Sequence, residues 1–422
     1  MLRFKKRKKV LVYTIGCTRR ELDTSKLMRY FKLNNCDIIG NPTNADYIIL
    51  VTCSFRKVKE YLSIELAKAF AQCKGQMIVL GCLPATAPNK LKEQVKCKSL
   101  ATKDLNSIDK FFPDFKIKFS DIPEVNFKTY ASIFTLLFFL KREIRFSKKF
   151  IVSFMNFTKV FLKECIYSHK RSAFSQKTLI RISGGCLGNC SYCEIKNAVG
   201  KLKSKPLKNI IDEYKKLLNE GYSNFSMEGE DVGAYGLDIQ SSFRELLEQL
   251  SKVDKNFNVS WFIKDLNPQW FIRYKKTILE WIKSNRIKYI EVPIQSGSHR
   301  ILKLMNRYTN LTVLLHSLQD IKRINSKVTL ITHIIIGFPT ENEKDFIKTL
   351  NFIKKCGVSE VIIFRYYDVE SSRSFHFKGK VSKEEAIKRL EIAKNFLSRN
   401  KIKYYYDEDF YETGYTLLNC FH

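Results

Sequence analysis

The 422 residues carry 74 Lys and Arg against 42 Asp and Glu, a formal net charge of +32, and the length can bury two or three cores. No apolar run approaches the roughly 20 residues of a bilayer span; the greasiest piece, residues 131–140, runs into Lys141 and Arg142. Twelve cysteines with no apolar signal segment after the basic start exclude a small secreted disulfide scaffold and fit a reducing, cytoplasmic setting.

The first hundred residues hold three apolar, β-branched runs, each ending in a cysteine: "KKVLVYTIGC" at Cys17, "ADYIILVTC" at Cys53 and "GQMIVLGC" at Cys82. Helix-like segments at 21–33 and 56–73 separate them, so the alternation predicts a parallel sheet covered by helices. Loops at the carboxyl ends of such strands gather on one edge, where ligands bind. The three cysteines would therefore converge and suit a cluster held by three thiolates, against the alternative of three separate packing residues.

Residues 101–175 are basic and aromatic and read as an inter-domain connector, with one or two amphipathic helices over 131–165. From 177 a second alternation begins. Candidate strands lie at 178–185, 224–231, 259–266, 289–297, 328–339 and 360–368, with helical segments at 207–220, 241–253, 271–285, 311–325 and 343–356. Six βα units suit a partial barrel with its chemistry at the C-terminal mouth. The expected organisation is an α/β chain in four parts. Residues 1–100 form a doubly wound parallel-sheet domain, 101–175 the connector, 176–380 a partial (β/α)6 barrel, and 381–422 a helix with a short tail.

The loop after the first barrel strand reads "ISGGCLGNCSYC", with Cys186, Cys190 and Cys193 inside eight residues. Three thiolates do not close a tetrahedral zinc site, and no second pair at matching spacing follows. A cubane iron–sulfur cluster held by three thiolates leaves one iron open to a non-protein ligand. Gly184, Gly185 and Gly188 let the backbone wrap tightly round such a core. Three incidental packing cysteines are the plainer alternative.

The C-x3-C-x2-C spacing, with Tyr192 before the last cysteine, resembles the signature of the radical S-adenosylmethionine enzymes. The resemblance implies that the cofactor's methionyl group chelates the open iron and that an electron from the cluster releases a 5′-deoxyadenosyl radical. "MEGEDVGAYGLDI" (227–239), "VPIQSGSHRILKLMNR" (292–307) and "IIIGFPTENEKDF" (334–346) resemble strand-end motifs of the methylthiotransferases, as do the contexts of Cys17, Cys53 and Cys82. That family converts an unactivated C–H bond to C–S–CH3 with two 4Fe-4S clusters and S-adenosyl-L-methionine. By this resemblance Cys186, Cys190 and Cys193 hold the radical-generating cluster, and Cys17, Cys53 and Cys82 hold the one that carries the sulfur. Tyr192 would border the adenine, Gly229 and Glu230 would meet the methionyl amino group, and Lys264 its carboxylate. Gln295 and Ser296 would contact the ribose, and Ile336 and Gly337 would line the adenine face. Three positions depart from the family pattern: His333 and Arg20 stand where Asp and Asn are usual, and Val51 replaces an Asn. The resemblance further implies an external electron donor such as flavodoxin or ferredoxin.

The substrate stays open at this stage. "EDVGAYG" looks most like the branch that modifies threonylcarbamoyl-adenosine in tRNA, and the charge suits RNA. The charge also follows from a composition rich in Lys, Asn, Ile, Phe and Tyr, as an AT-rich genome produces. tRNA-modifying relatives carry a C-terminal β-barrel module, whereas the 22 residues after the helix-like segment at 382–400 are too few for five strands. A modified adenosine of tRNA, a peptide or protein side chain, and sulfur insertion without methylation are the expectations carried forward.

Overall fold

The computed structural model describes residues 7–127, 177–255 and 257–406. Two compact units emerge, one from within residues 1–170 with Glu194–Gly200, the other from within Arg171–Cys193 and Lys201–His422.

In the first unit, strands β1 (Lys9–Thr14), β2 (Asp37–Ile38), β3 (Tyr47–Thr52), β4 (Gln76–Gly81) and β5 (Lys98–Ala101) form one parallel sheet in the order β2-β1-β3-β4-β5. This is a doubly wound order, with its switch point between β1 and β3. The runs "VLVY", "IILV" and "MIVL" are apolar at every position because both faces are covered. Leu11, Tyr13, Leu50 and Val79 pack under the helix Lys57–Phe70 through Leu62, Leu66 and Phe70. Val10, Val12, Val51 and Leu80 pack on the other face against Leu27, Tyr30 and Phe31 of the helix Thr18–Leu33. Residues 102–122 add two 3-10 stretches whose Ile108, Phe112, Phe119 and Ile122 close that same core. The amphipathic helices expected over 131–165, the 131–140 stretch among them, lie outside the described residues.

In the second unit, β6 (Thr178–Arg181) is followed by a short antiparallel pair, β7 (Ser183–Gly184) with β8 (Lys203–Ser204). Then come β9 (Asn224–Glu228), β10 (Ser260–Ile263), β11 (Ile287–Glu291), β12 (Thr329–Ile336), β13 (Glu360–Arg365) and β14 (Lys403–Tyr406). The parallel sheet runs β6-β9-β10-β11-β12-β13-β14, each strand beside its predecessor, with both end strands unclosed. It is a partial barrel, with one strand more than the six expected. "KYYY", assigned to the tail in the sequence reading, pairs with β13. The 271–285 segment is two helices, Pro268–Arg273 and Lys275–Lys283, with Tyr274 between them.

Alternation along these strands divides the sheet. Phe225, Met227, Trp261, Ile263, Ile290, Leu330, Ile334 and Ile363 enter the core under the surrounding helices. Their sequence neighbours Glu228, Phe262, Lys264, Tyr289, Glu291, His333 and Phe364 fall on the opposite face, which is polar and aromatic. Among the described residues, no helix is long and apolar enough to cross a membrane.

Candidate functional site

The first triad stands at the carboxyl ends of three adjacent strands. Register pairs Thr14 with Val51 and Thr52 with Gly81, which brings the chain just beyond β1, β3 and β4 to one edge. Cys17 heads the helix Thr18–Leu33, and its carbonyl accepts the N–H of Glu21 at 2.9 Å. Cys53 is buried, and Ser63 clamps its backbone: the hydroxyl accepts the Cys53 N–H at 3.3 Å and donates to the Cys53 carbonyl at 2.7 Å. Cys82 opens the short helix Leu83–Thr86 and donates its N–H to the Thr52 carbonyl at 3.2 Å. Gly81, with φ +106°, makes that approach possible, since a Cβ there would lie 2.3 Å from the Thr52 oxygen.

Burial pushes the Cys53 thiol up, with Cys17 adding to it. Burial also raises Cys82, to about 12, against the pull of Arg20 and with a further push from Cys53 and Cys17. Arg20 is buried and held 3.0 Å from Asp23.

The second triad sits in the loop after β7. Glu230 accepts the Gly185 N–H at 3.0 Å and fixes the loop's first turn. Cys186 Sγ accepts the Gly188 N–H at 3.2 Å. The far side is laced to the helix His299–Met305: Ser191 donates to the Met305 carbonyl at 3.0 Å, and Asn306 Nδ2 to the Asn189 carbonyl at 3.0 Å. Arg373 and Ser374 add bonds to Asn189 and Ser191 at 2.6 and 2.9 Å. Burial lifts the Cys186 thiol to about 11, with Asp231 beside it adding to the rise. Tyr192 packs on Ile301, Met305, Ile335 and Phe338 next to Cys190 and Cys193.

Among the described residues, no group of three or more His, Cys, Asp or Glu is arranged to hold a single metal ion. A polynuclear cluster takes each thiolate on a different iron, so its ligands do not need to meet at one point.

The remaining expected contacts divide into two sets. Gln295, with φ +75°, bridges to β12 through its own N–H to the His333 carbonyl and its carbonyl to the Ile335 N–H, and its side-chain Oε1 is buried without a partner. A non-glycine residue held in that region marks a constrained position. Ile336 ends β12, and Gly337, with φ +81°, donates its N–H to Glu341 Oε2 at 2.8 Å. Arg389 Nη1 meets the same Oε2 at 2.8 Å. Gly229 packs where a Cβ would stand 2.8 Å from Ser183 Oγ. Ser296 and Lys264 have other engagements. The Ser296 hydroxyl is fully buried, shared with Thr349 at 3.1 Å and accepting the Ser298 N–H. The Lys264 ammonium lies 3.7 Å from the buried Glu228, whose carboxylate also accepts from Ser226.

The sequence reading missed three groups: Glu291, Asp231 and Arg307. His333, singled out there as a departure, stands 3.4 Å from Glu291. Burial alone would push Glu291 up, but His333, the Asp265 N–H and Lys264 hold it at about 2, while the carboxylate keeps His333 above its ordinary value. Asp231 is raised to about 6 by burial, against a 2.8 Å bond from Trp270 Nε1. Arg307 points Nη1 at Cys190 Sγ, 3.6 Å away. Asp231 and Arg307 lie within the quoted motifs "MEGEDVGAYGLDI" and "VPIQSGSHRILKLMNR", whose expected contacts were Gly229 and Glu230 in the first and Gln295 and Ser296 in the second.

Residues 180–353 match the Radical SAM superfamily, and residues 9–102 match the Uncharacterized protein family UPF0004. The ribosomal protein uS12 methylthiotransferase RimO of Thermosipho melanesiensis is 28% identical over 388 residues, which is 90% of this chain and 81% of the relative. The tRNA-2-methylthio-N(6)-dimethylallyladenosine synthase of Clostridium botulinum is 28% identical over 404 residues, 93% of this chain and 83% of the relative. Among solved structures, the radical S-adenosylmethionine methyltransferase TsrM of Kitasatospora setae superposes with a TM-score of 0.59 at 9% identity, over 88% of this chain and 77% of that one. The cobalamin-dependent S-adenosylmethionine radical enzyme OxsB superposes at 0.54 with 12% identity, over 93% of this chain and 56% of that one. At these identities the two structures establish the fold alone.

Proposed function

The chain belongs to the radical S-adenosylmethionine methylthiotransferase family, and we propose that it replaces a C–H bond of a modified adenosine in tRNA by C–S–CH3. The observation that carries the chemistry is the pair of cysteine triads, Cys17, Cys53 and Cys82 in one unit and Cys186, Cys190 and Cys193 in the other. Both stand beyond the carboxyl ends of parallel strands. The net charge of +32 supports an RNA substrate, because a polyanion is drawn to such a field.

The residues present fit iron–sulfur clusters. A Cβ at Gly188 would stand 3.1 Å from Cys186 Sγ and 3.9 Å from Cys190 Sγ, so a side chain there would crowd the sulfurs on the inner side of that loop. Thiols raised by burial, as at Cys53, Cys82 and Cys186, become ligands when a metal displaces their protons. When bound, two 4Fe-4S clusters and S-adenosyl-L-methionine supply the one-electron chemistry that breaks an unactivated C–H bond.

In this reading the Cys186 loop holds the radical-generating cluster, and the triad Cys17, Cys53 and Cys82 the one bearing the sulfur. Glu230 fixes the loop through Gly185, and Tyr192 excludes water beside Cys190 and Cys193. Gln295 Oε1 offers the ribose an unused acceptor, a role its neighbour Ser296 is too enclosed to share. Ile336 and the Gly337 turn line the adenine. The backbone at Gly229 and the Glu230 carboxylate face the methionyl ammonium. Lys264, tied to Glu228, presents its charge to the methionyl carboxylate. A flavodoxin or ferredoxin supplies the electron.

One observation favours a second reading: a relative named for ribosomal protein uS12 matches at the same identity, over nearly as much of the chain, as one named for tRNA. A protein side chain is then the acceptor. Anaerobically reconstituted protein, given methyl-labelled S-adenosylmethionine with bulk tRNA or ribosomal protein uS12, separates the two. Labelled methylthio-nucleoside after nuclease digestion supports the tRNA reading. Label confined to uS12 transfers the assignment to protein, and a sulfur-bearing product without label points to sulfur insertion.

A further inference from the structure

Arg307 follows directly on Asn306, whose left-handed backbone (φ +55°) ends the helix His299–Met305, and its own N–H returns to the Leu302 carbonyl at 2.9 Å. The side chain is anchored at its tip. Nη2 donates to the Pro293 carbonyl at 2.6 Å, which leaves Nη1 aimed at Cys190 Sγ, 3.6 Å away. Neither partner is free to drift. Ser191 and Asn189, on either side of Cys190, are bonded to Met305 and Asn306 of the same helix end. One short segment, 305–307, therefore fixes both the sulfur and the cation that faces it.

We propose that Arg307 is a positioning residue that sets the reduction potential of the cluster held by the Cys186 loop, through its hydrogen bond to the Cys190 thiolate. The proposal rests on the reading of that loop as the site of a 4Fe-4S cluster. Reduction adds one electron and no proton, so the reduced state is the more negative of the two. A fixed guanidinium in a poorly solvated pocket stabilises it more than the oxidised state. Hydrogen bonds to cluster sulfurs are an established lever on such potentials, and a donor that is itself charged is the stronger kind. The Pro293 bond does not contribute to this, because it goes to a neutral carbonyl; its part is to hold the fork in place.

The test uses the full chain with Cys17, Cys53 and Cys82 replaced by Ala, so that one cluster reports. Parent, Arg307→Met and Arg307→Lys are reconstituted anaerobically. Iron is counted, and the reduced cluster is titrated by electron paramagnetic resonance against a chemical one-electron reductant. Arg307→Met keeps the stem and loses the charge. At a fixed poise its reduced-to-oxidised ratio should fall about tenfold, roughly 59 mV more negative for a one-electron couple. Arg307→Lys, with the charge but not the fork, should fall between Met and parent. An unchanged midpoint in Arg307→Met at full iron content overturns the proposal. Loss of iron from both variants also overturns it, by making Arg307 a brace for the loop. If the parent binds no cluster, the reading of the loop fails instead, a separate outcome.

Discussion

Arg389→Met tests how the helix Lys383–Arg399 supports the turn that lines the proposed adenine site. Arg389 Nη1 reaches Glu341 Oε2 at 2.8 Å and the Glu341 carbonyl at 3.1 Å, and both side chains are almost fully buried. The same Oε2 accepts the Gly337 N–H, so losing the arginine strands a buried carboxylate at the turn. Removing one partner of a buried pair typically costs about 3–5 kcal/mol. The carboxyl can escape part of that by taking up a proton.

Its folded-state value is already raised from 4.5 to about 7, by burial acting against the Gly337 N–H and Arg389. A carboxyl raised on folding contributes stability that is fully present below its unfolded value and lost as pH rises through its folded value. Deleting Arg389 removes a group that holds this value down and extends the loss above pH 7. The expected destabilisation is about 1 kcal/mol at pH 6, from lost hydrogen bonds, and about 3 kcal/mol at pH 8.5, where the parent's pair is fully charged. Anaerobic urea unfolding at the two pH values, with the double variant Arg389→Met/Glu341→Gln alongside, measures this. The double variant should recover most of the pH 8.5 loss, because an amide oxygen still accepts from Gly337. Equal losses at both pH values, or a double variant no better than the single one, would refute the reasoning.

Three further outcomes are expected. Reconstituted parent should bind about eight irons, and replacing Cys186, Cys190 and Cys193 by Ala should leave about four, the content of one cubane; loss of all iron in that variant argues against two separable sites. Cys53→Ala should still cleave S-adenosylmethionine to 5′-deoxyadenosine while forming no methylthio product, as chromatography of both would show. His333→Gln leaves Glu291 buried beside a neutral amide. The His333 contribution is fully present below pH 6.5 and lost as pH rises through its raised value, whereas that of Glu291 is present above 4.5 and lost as pH falls towards about 2. Parent and variant should therefore differ most, by about 2 kcal/mol, near pH 6 and converge towards pH 9 in chemical unfolding; a constant difference would exclude the pair as its cause.

The elements most legible in the sequence were those with a single physical signature. The runs ending at Cys17, Cys53 and Cys82 are apolar throughout because helices cover both faces of their sheet, and they read as strands without ambiguity. The helices Leu311–Ile324 and Glu343–Cys356 fall where the segments 311–325 and 343–356 were expected, and the side chains of Asn310 and Asn342 cap their first turns. What was hidden depends on pairing across the chain. "KYYY" is four residues long and becomes a strand only because β13 offers an edge. The helix His299–Met305 lies inside a motif read for its Gln295–Ser296 turn, and its seven residues are too few to show a period. Alternation in β10 and β11 was present in "SWFI" and "YIE" but masked by large aromatic residues on both faces. Phe262 and Tyr289 occupy the polar face with their rings 5.7 Å apart, and Lys177 stands 3.7 Å from the Phe262 ring.

The departures at Arg20, His333 and Val51 take on meaning from their surroundings. Val51 lies in the β3 core among Val12, Ile49 and Leu80, where an apolar residue is the natural occupant. Arg20 brings a cation in place of an amide and His333 an imidazole in place of a carboxylate, and each meets a carboxylate in its own unit: Asp23 at 3.0 Å for Arg20, Glu291 at 3.4 Å for His333. Buried charge without a partner is costly, so these carboxylates are what make the substitutions tolerable. The pairing also sets how much field each arginine delivers to its thiolates. Arg20 lowers Cys82 from a guanidinium whose charge is shared with Asp23, so the cysteine sees something closer to a dipole. Arg307 directs one amino group straight at Cys190 and the other at a neutral carbonyl, with the Asp231 carboxylate also in its field. In the triad proposed to accept an electron the guanidinium is thus bonded directly to a cysteine sulfur, whereas beside the triad proposed to carry sulfur it is paired with Asp23.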